Sequence, residues 1–501
     1  MPVEPLLLSG PPVRQGEAGG PDAADSRLAR STVAVLAGSA AALVSSLAVR
    51  VVMARTLDAG ALGAVFLGIS VVSFAGGVSS LGLRWAAGRR IAALLASSRK
   101  AEAARSARTA LVAAAAAGAV VAIAVALAPA LGLAGRLPAA LLPALAPVVL
   151  GLAVGTAVWG ISQGRDDTRG RALVRDTGGS LFRLAGVAAA AVVSGGVLSL
   201  GLGWALGSLA GEGLFLAYGL RQGWLSGAKE GRDRELLASL PPFFGMTFLN
   251  QARTWLDMLL LGAVAPLATV GTYGLAQSLG RVLGMFQDAA AHRFFPLASS
   301  AVARQDERGL ATVYGQAREL TFSFLWAPLA PCLLCPNEVA CVAFGAAHAG
   351  TGAPLRLLAV ALLVPAVLGY TDELLVARDQ PGTVLRIGLL GTGVTAVALL
   401  ALVPARGAVG AAAATAMGTA VRSVAGWVRL GEAPRRATRD LASLGRLLLS
   451  AAPAVGTAAL LARADSIPPL ARTLLIGLAA SPAAALHVVA GLRGVRTPKA
   501  G

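Results

Sequence analysis

The chain reads as an all-α, polytopic membrane protein, and three observations predict this. Hydrophobic residues fill 56 % of the 501 positions and mean hydropathy is +0.71, above what a soluble domain carries. Apolar stretches about 20 residues long, enough to cross ~30 Å of hydrocarbon as a helix, recur from one end to the other. The gaps between them alternate between crowded with positive charge and almost free of it.

The spans fall at 32–53, 60–83, 109–133, 138–161, 177–194, 197–220, 240–263, 268–297, 319–336, 353–376, 387–403, 407–428, 442–462 and 473–492, about 14 transmembrane helices. Of the 43 Lys+Arg, 30 lie in the tails and even-numbered gaps and only 5 in the odd-numbered gaps. Cations retained on one side are the positive-inside signature, so both termini are expected in the cytoplasm. The 61 Gly and Ala-rich runs such as 113–120 suit helices whose backbones approach closely. A net charge of +18 invites a nucleic-acid reading, but the cations sit in short inner gaps with no basic domain. Topology and anionic lipid account for them, so no nucleic-acid partner is expected.

Residues 1–31 form a polar, Pro/Gly-containing tail, read as disordered and cytoplasmic; it is too acidic for a cleavable signal. The inner gap 84–108 reads as a basic helix along the cytoplasmic surface. The seven outer gaps total 45 residues, too few for a folded domain outside the bilayer. The longest holds Cys332, Cys335 and Cys341, and two readings compete: small apolar filler, or a disulfide or adventitious metal site. No dedicated metal site is expected.

A weak repeat runs through the chain. LGAVFLGIS (62–70) matches VGTYGLAQS (270–278), pairing Gly63 with Gly271; Gly201 matches Gly410; and GRDD (164–167) matches ARDQ (377–380). Six spans per repeat give two parallel lobes, 32–235 and 236–430, with a cleft between them, plus two additional helices and a cytoplasmic tail in 431–501.

Ionisable groups inside spans cost about 2.5–3.5 kcal/mol each on insertion scales, so they are the first functional candidates. Gln277, Arg281, Asp288 and His292 fall within roughly 60° of arc on one helix face. They form a stripe that either faces water or is internally paired. Asn250, Arg253 and Asp257 share a face of the seventh span. Arg253 and Asp257, four apart, either neutralise each other or leave Arg253 facing the cleft with Asp257 tuning it. Arg50 occupies a comparable depth in the other lobe, and Arg84 at the inner end of the second span is a gateway cation or one of the retention set. Asp372 and Glu373 are a proton or sodium site, or the partners of Arg378 or Arg386; Arg422 is read as snorkelling. Arginine outnumbers acid near mid-membrane, which favours an anionic cargo held through bidentate guanidinium contacts.

The stretch 54–92, with its Gly-plus-aromatic opening of the second helix and Leu-Gly followed by Arg84, resembles Wzx-type polysaccharide flippases. So do LPPFFG (240–245), Asp257, VGTYGLAQSLGRVLG (270–284), FFPLASS (294–300) and PARGAVGAAAATAMGT (404–419). The resemblance covers roughly 32–430. Its superfamily, the multidrug/oligosaccharidyl-lipid/polysaccharide exporters, also holds lipid II flippases and multidrug extrusion transporters. It implies alternating access of two lobes, moving an undecaprenyl-pyrophosphate-linked oligosaccharide from the inner to the outer leaflet of a bacterial cytoplasmic membrane. Arg50, Arg253 and Arg281 match the family's lumen arginines by position. Arg84, Asn250 and Gln277 complete the expected binding set; Asp257, Asp288, His292, Asp372 and Glu373 are the coupling candidates, for H+ or Na+, with no other cofactor. Expected partners are the lipid-linked substrate, membrane lipids, and the polymerase or glycosyltransferases of the same pathway. A cation-coupled multidrug extruder is the alternative; it would carry acids rather than arginines in the lumen. An enzyme is not expected, because the outer loops have no room for a catalytic set.

Overall fold

The structure is a computed structural model. It describes residues 38, 41–133, 135–167, 170–432, 434–435, 452–458, 460–461 and 468–480. The side chains of 286, 288–290, 292–293 and 323 lie outside that description, as do the tail 1–31 and most of the last two expected spans.

Among the described residues the regular structure is helical throughout, with no strand. A helix satisfies its own backbone groups where no water can, which is why long apolar runs fold this way. The helices are α1 (41–56), α2 (Ala59–Ser79), α3 (Leu83–Ala96), α4 (Lys100–Leu127), α5 (Leu141–Gly164), α6 (Gly179–Val193), α7 (Val197–Arg221), α8 (Arg234–Ala238) and α9 (Leu240–Val264). They continue as α10 (Leu267–Ala303), α11 (Glu307–Leu334), α12 (Pro336–Phe344), α13 (Gly352–Leu368), α14 (Thr371–Ala377) and α15 (Pro381–Arg429), with α16 (Pro469–Ala480) near the end of the described chain.

Six of these segments are long and apolar enough to cross a membrane, counting α2 with α3 and α13 with α14 as single runs. A seventh is added if 324–334 and α12, which meet at 97°, form one broken span. The chain is therefore a multi-pass membrane protein.

Several helices overrun their apolar spans. The inner gap 84–108 is not one surface helix: it is α3 followed, after a turn at Ser97–Arg99, by the first turns of α4. α11 begins at Glu307, twelve residues before the ninth span, because Asp306 caps it by accepting from Gly309 N–H at 2.8 Å. Gly407, at φ 52°, folds α15 into a hairpin whose arms touch where Gly391 meets Gly418.

The contacts divide the chain into two compact units. Unit 1 comprises 1–56 and 67–255; unit 2 comprises 57–66 and 256–501. In unit 1 the core is built on Leu83, Ile91, Ala107, Ile161, Phe215 and Trp224. Its connector from α7 to α8 is pinned by Asp233, 2 % exposed. Asp233 accepts from Ser106, from Arg90 Nε at 3.2 Å and from Leu236 N–H at 3.2 Å. Burial alone would raise its pKa, but these donors outweigh burial and hold the carboxyl below its ordinary value.

In unit 2, Phe294, Tyr314, Tyr370, Leu374 and Ile387 form a core of stacked rings and aliphatics. Here α2 and α10 cross backbone to backbone at Gly63 and Gly271, the two glycines paired by the sequence repeat. A Cβ on Gly63 would lie 1.8 Å from the Leu267 carbonyl oxygen, so only glycine fits the crossing.

Candidate functional site

Unit 2 holds a polar chain in its apolar interior. Asp257 of α9 is 7 % exposed, and its carboxylate accepts three hydrogen bonds. Met258 N–H donates at 2.8 Å, Tyr273 Oη at 2.7 Å and Gln277 Nε2 at 2.6 Å. Gln277 Oε1 in turn accepts from Arg281 at 2.9 Å, and Tyr273 Oη also lies 2.9 Å from Thr415 Oγ1 of α15. The spacing 273, 277, 281 puts one group per turn on a single face of α10, so the helix delivers all three to Asp257 and its surroundings. Gln277 relays between a carboxylate and a guanidinium: its amide end serves one charge and its carbonyl end the other.

The first half of the expected stripe is therefore internally bonded, and its anchor is an acid from the neighbouring helix. Both side-chain donors to Asp257, Tyr273 and Gln277, come from α10, and the third donor is the Met258 N–H of its own helix. Tyr273 and Thr415 were missed by the sequence reading, since a lone Tyr or Thr in an apolar run carries no signal of its own. The side chains of Asp288 and His292 lie outside the described residues.

The tenth span is broken. α13 ends at Leu368, Gly369 adopts φ 89°, and α14 starts at Thr371. The carbonyls freed by the break are met by side chains: Tyr314 Oη donates to Leu368 O at 2.6 Å, and Arg318 Nη1 lies 3.5 Å from Val367 O. Arg318 is fully buried. Around the break lies a cavity of about 100 Å³, lined by Arg318, Thr321, Tyr370, Asp372, Glu373 and Arg422 among others. Asp372 pairs with Arg422 at 3.6 Å, and Arg378 pairs with Glu307 at 2.8 Å. The sequence offered Arg378 or Arg386 to Asp372; the hairpin of α15 instead brings Arg422 back to it, so Arg422 does not simply snorkel.

In unit 1, Arg50 is half-buried and donates to Ser46 Oγ at 2.8 Å, one turn back on α1. Arg84 is the second residue of α3; its guanidinium carbon stacks 3.3 Å from the centroid of Trp159, and its Nε donates to Gln163 at 3.3 Å. Asn250 and Arg253 are exposed on α9. The structure thus joins Asp257, Gln277 and Arg281 in one network, joins Asp372 and Glu373 in one cavity, and leaves Arg50 and Arg84 at separate places in unit 1.

The three cysteines are free thiols, with Cys332 and Cys335 buried where α11 bends into α12. No disulfide links them, and no cluster of metal-ligating side chains occurs among the described residues.

The helical fold of this multi-pass chain is shared with solved membrane transporters. Solved structures with that fold include a multidrug resistance MATE family transporter of the MOP superfamily in an inward-facing conformation. It is 18 % identical with a TM-score of 0.67, over 81 % of this chain and 98 % of that one. The lipid II flippase MurJ, in an inward closed conformation, is 13 % identical with a TM-score of 0.73, over 93 % and 100 %. The model of the polysaccharide biosynthesis protein family matches residues 28–302, and the chain belongs to that family. A relative described as the probable low-salt glycan biosynthesis flippase Agl15 of Haloferax volcanii is 23 % identical over 171 residues; the match spans 34 % of this chain and 36 % of that protein. Agl15 and MurJ are described as flippases and the MATE protein as a transporter.

Proposed function

We propose that the chain flips an undecaprenyl-pyrophosphate-linked oligosaccharide from the inner to the outer leaflet of a bacterial cytoplasmic membrane. Family membership supports the glycan pathway, and the flippase relatives support a lipid-linked cargo. The observation that carries the reading is Arg281: a guanidinium presented within an apolar unit and steadied by Gln277 on the buried Asp257. A guanidinium so oriented offers paired donors to phosphate oxygens. Arg50, Arg84, Asn250 and Arg253 complete the proposed binding set.

The full architecture we assign is fourteen spans, both termini cytoplasmic, in two six-helix lobes (32–235 and 236–430) with two further helices in 431–501. The lobes work by alternating access; related MATE structures in inward-facing and outward-facing conformations support that cycle. Asp257, together with Asp372 and Glu373 at the broken helix, is the proposed coupling site for H+ or Na+. The proposed partners are membrane lipids and the polymerase or glycosyltransferases that build and consume the glycan.

The test is genetic. Deleting the gene should abolish surface polysaccharide, and wild type but not Arg253→Ala or Arg281→Ala should restore it. Full rescue by both variants removes the arginine mechanism. Cation-coupled multidrug extrusion is the second reading, favoured by the MATE-like fold; it predicts that deletion sensitises cells to cationic dyes while leaving the polysaccharide intact.

A further inference from the structure

Unit 1 contains an arginine cluster that the binding set above does not use, apart from Arg84. Three guanidinium groups converge on one indole: the Cζ atoms of Arg84, Arg171 and Arg175 lie 3.3, 4.5 and 4.8 Å from the centroid of Trp159. Arg171 and Arg175 come from 171–178, a π-helical stretch just before α6. That geometry matters. Arg171 and Asp176 are five residues apart and would point about 140° away from each other on an α-helix, yet here Nε and Oδ2 are 3.3 Å apart.

Two carboxylates hold Arg171 and Arg175. Asp176 pairs with Arg171, and Glu212 of α7, 8 % exposed, accepts from Arg175 at 3.1 and 3.3 Å. Arg84 has no carboxylate within ion-pair distance among the described residues; its partners are Gln163 and the rings of Trp159 and Trp85. The cluster also has an excess of donors. Trp159 Nε1 is buried with no acceptor among the described residues. A buried indole N–H with no acceptor among the described residues, beside a guanidinium whose nearest partners are an amide and two rings, is a donor set suited to an anion.

We propose that Arg84, Arg171 and Arg175, gathered round Trp159, form a phosphate-binding site within unit 1, separate from Arg253 and Arg281. Arg84 supplies the uncompensated charge and its fork of N–H donors. Trp159 holds that fork flat by cation–π stacking. Asp176 and Glu212 keep the other two guanidinium groups in place. Phosphate oxygens match this donor set whether they arrive on an inorganic ion or on a phosphorylated lipid headgroup. In the topology proposed above the cluster lies at the cytoplasmic ends of its helices, where phosphorylated headgroups of the inner leaflet are within reach. The site itself does not depend on the flippase reading.

The test is binding by the purified full chain. One arm titrates inorganic pyrophosphate in water; the other presents a prenyl phosphate in nanodiscs of zwitterionic lipid. Both arms use an Arg253→Ala/Arg281→Ala background, so any binding measured does not depend on those two arginines, and Trp159→Phe, outside the cargo set, reports on this cluster alone. Arg84→Gln should weaken binding about tenfold or more, the worth of one charge-assisted hydrogen bond. Trp159→Phe should weaken it in the same direction, and Arg84→Lys should keep part of it. Loss confined to the nanodisc arm assigns the site to a lipid headgroup; loss in both arms assigns it to phosphate in general. Equal binding by the background protein and its Arg84→Gln form, or no binding in either arm, overturns the proposal. Arg84→Gln strands no carboxylate, so elution as a single folded species is expected; Arg84→Lys serves if it does not fold.

Discussion

Replacing Gly63 by alanine should force apart two helices that now touch along their backbones. The new Cβ would sit 1.8 Å from the Leu267 carbonyl oxygen and 2.9 Å from the Gly271 nitrogen. Ordinary contact begins near 3.4 Å. Neither obstacle is a movable side-chain tip, so α2 and α10 must separate locally by roughly 1.5 Å and lose the dispersion contacts on both sides. Forced overpacking of this kind costs about 1–3 kcal/mol, and a backbone-to-backbone clash belongs at the upper end. The assay is thermal unfolding of the purified protein in detergent, beside Gly284→Ala as the control, since nothing lies within 4 Å of a Cβ at Gly284. Gly63→Ala should melt well below wild type and Gly284→Ala at or near it. Equal melting of the two variants would refute the close crossing. The same reasoning applies to Gly271, whose Cβ would meet the Ala59 carbonyl oxygen at 2.1 Å.

Other outcomes follow from single contacts. Asp257→Ala removes the acceptor of Tyr273 and Gln277 and should cost about 1–3 kcal/mol for each partner left unsatisfied, with Asp257→Asn milder; melting temperatures of the two check this. Asp233 has a folded-state pKa below its ordinary value, so its stabilisation is present above the unfolded carboxylate pKa and is lost as pH falls through the folded one. Wild type should therefore lose stability on acidification more steeply than Asp233→Asn, which a melting series from neutral pH downwards measures. The Asp372–Arg422 pair is partly exposed at 3.6 Å, so a double-mutant cycle with Asp372→Asn and Arg422→Gln should give at most about 1 kcal/mol of coupling. Maleimide should label Cys341 before Cys332 and Cys335, and electrophoretic mobility should be the same with and without reductant, because the thiols are free and two are buried.

The helices were legible because apolarity sustained over about 20 residues is read directly from composition. Their ends were not: α11 begins in charged sequence that the hydropathy pattern assigns to a gap between spans. That is why Arg318 was overlooked. It lies one residue outside the apolar span 319–336, yet the structure buries it completely. Arg171 and Arg175 were likewise read as loop cations, and only the π-helical turn reveals their convergence on Trp159. The break at Gly369 was hidden as well, since a glycine in an apolar run is compatible with a continuous helix. The face shared by Gln277 and Arg281 was legible because it depends on helical period alone. Its partners Asp257 and Thr415 come from other helices, up to 142 residues away, and no local pattern points to them.

The central claim is that arginines in this fold hold the pyrophosphate of a lipid-linked glycan while it crosses the membrane. The direct measurement is translocation in proteoliposomes loaded with a prenyl-pyrophosphate-linked oligosaccharide, read as sugar newly exposed to an added lectin. Wild-type protein should raise the exposure rate over empty vesicles, and Arg281→Ala should reduce it about tenfold or more. An undiminished rate in Arg281→Ala, or no translocation by wild type in vesicles where it accumulates a cationic dye, would contradict the account.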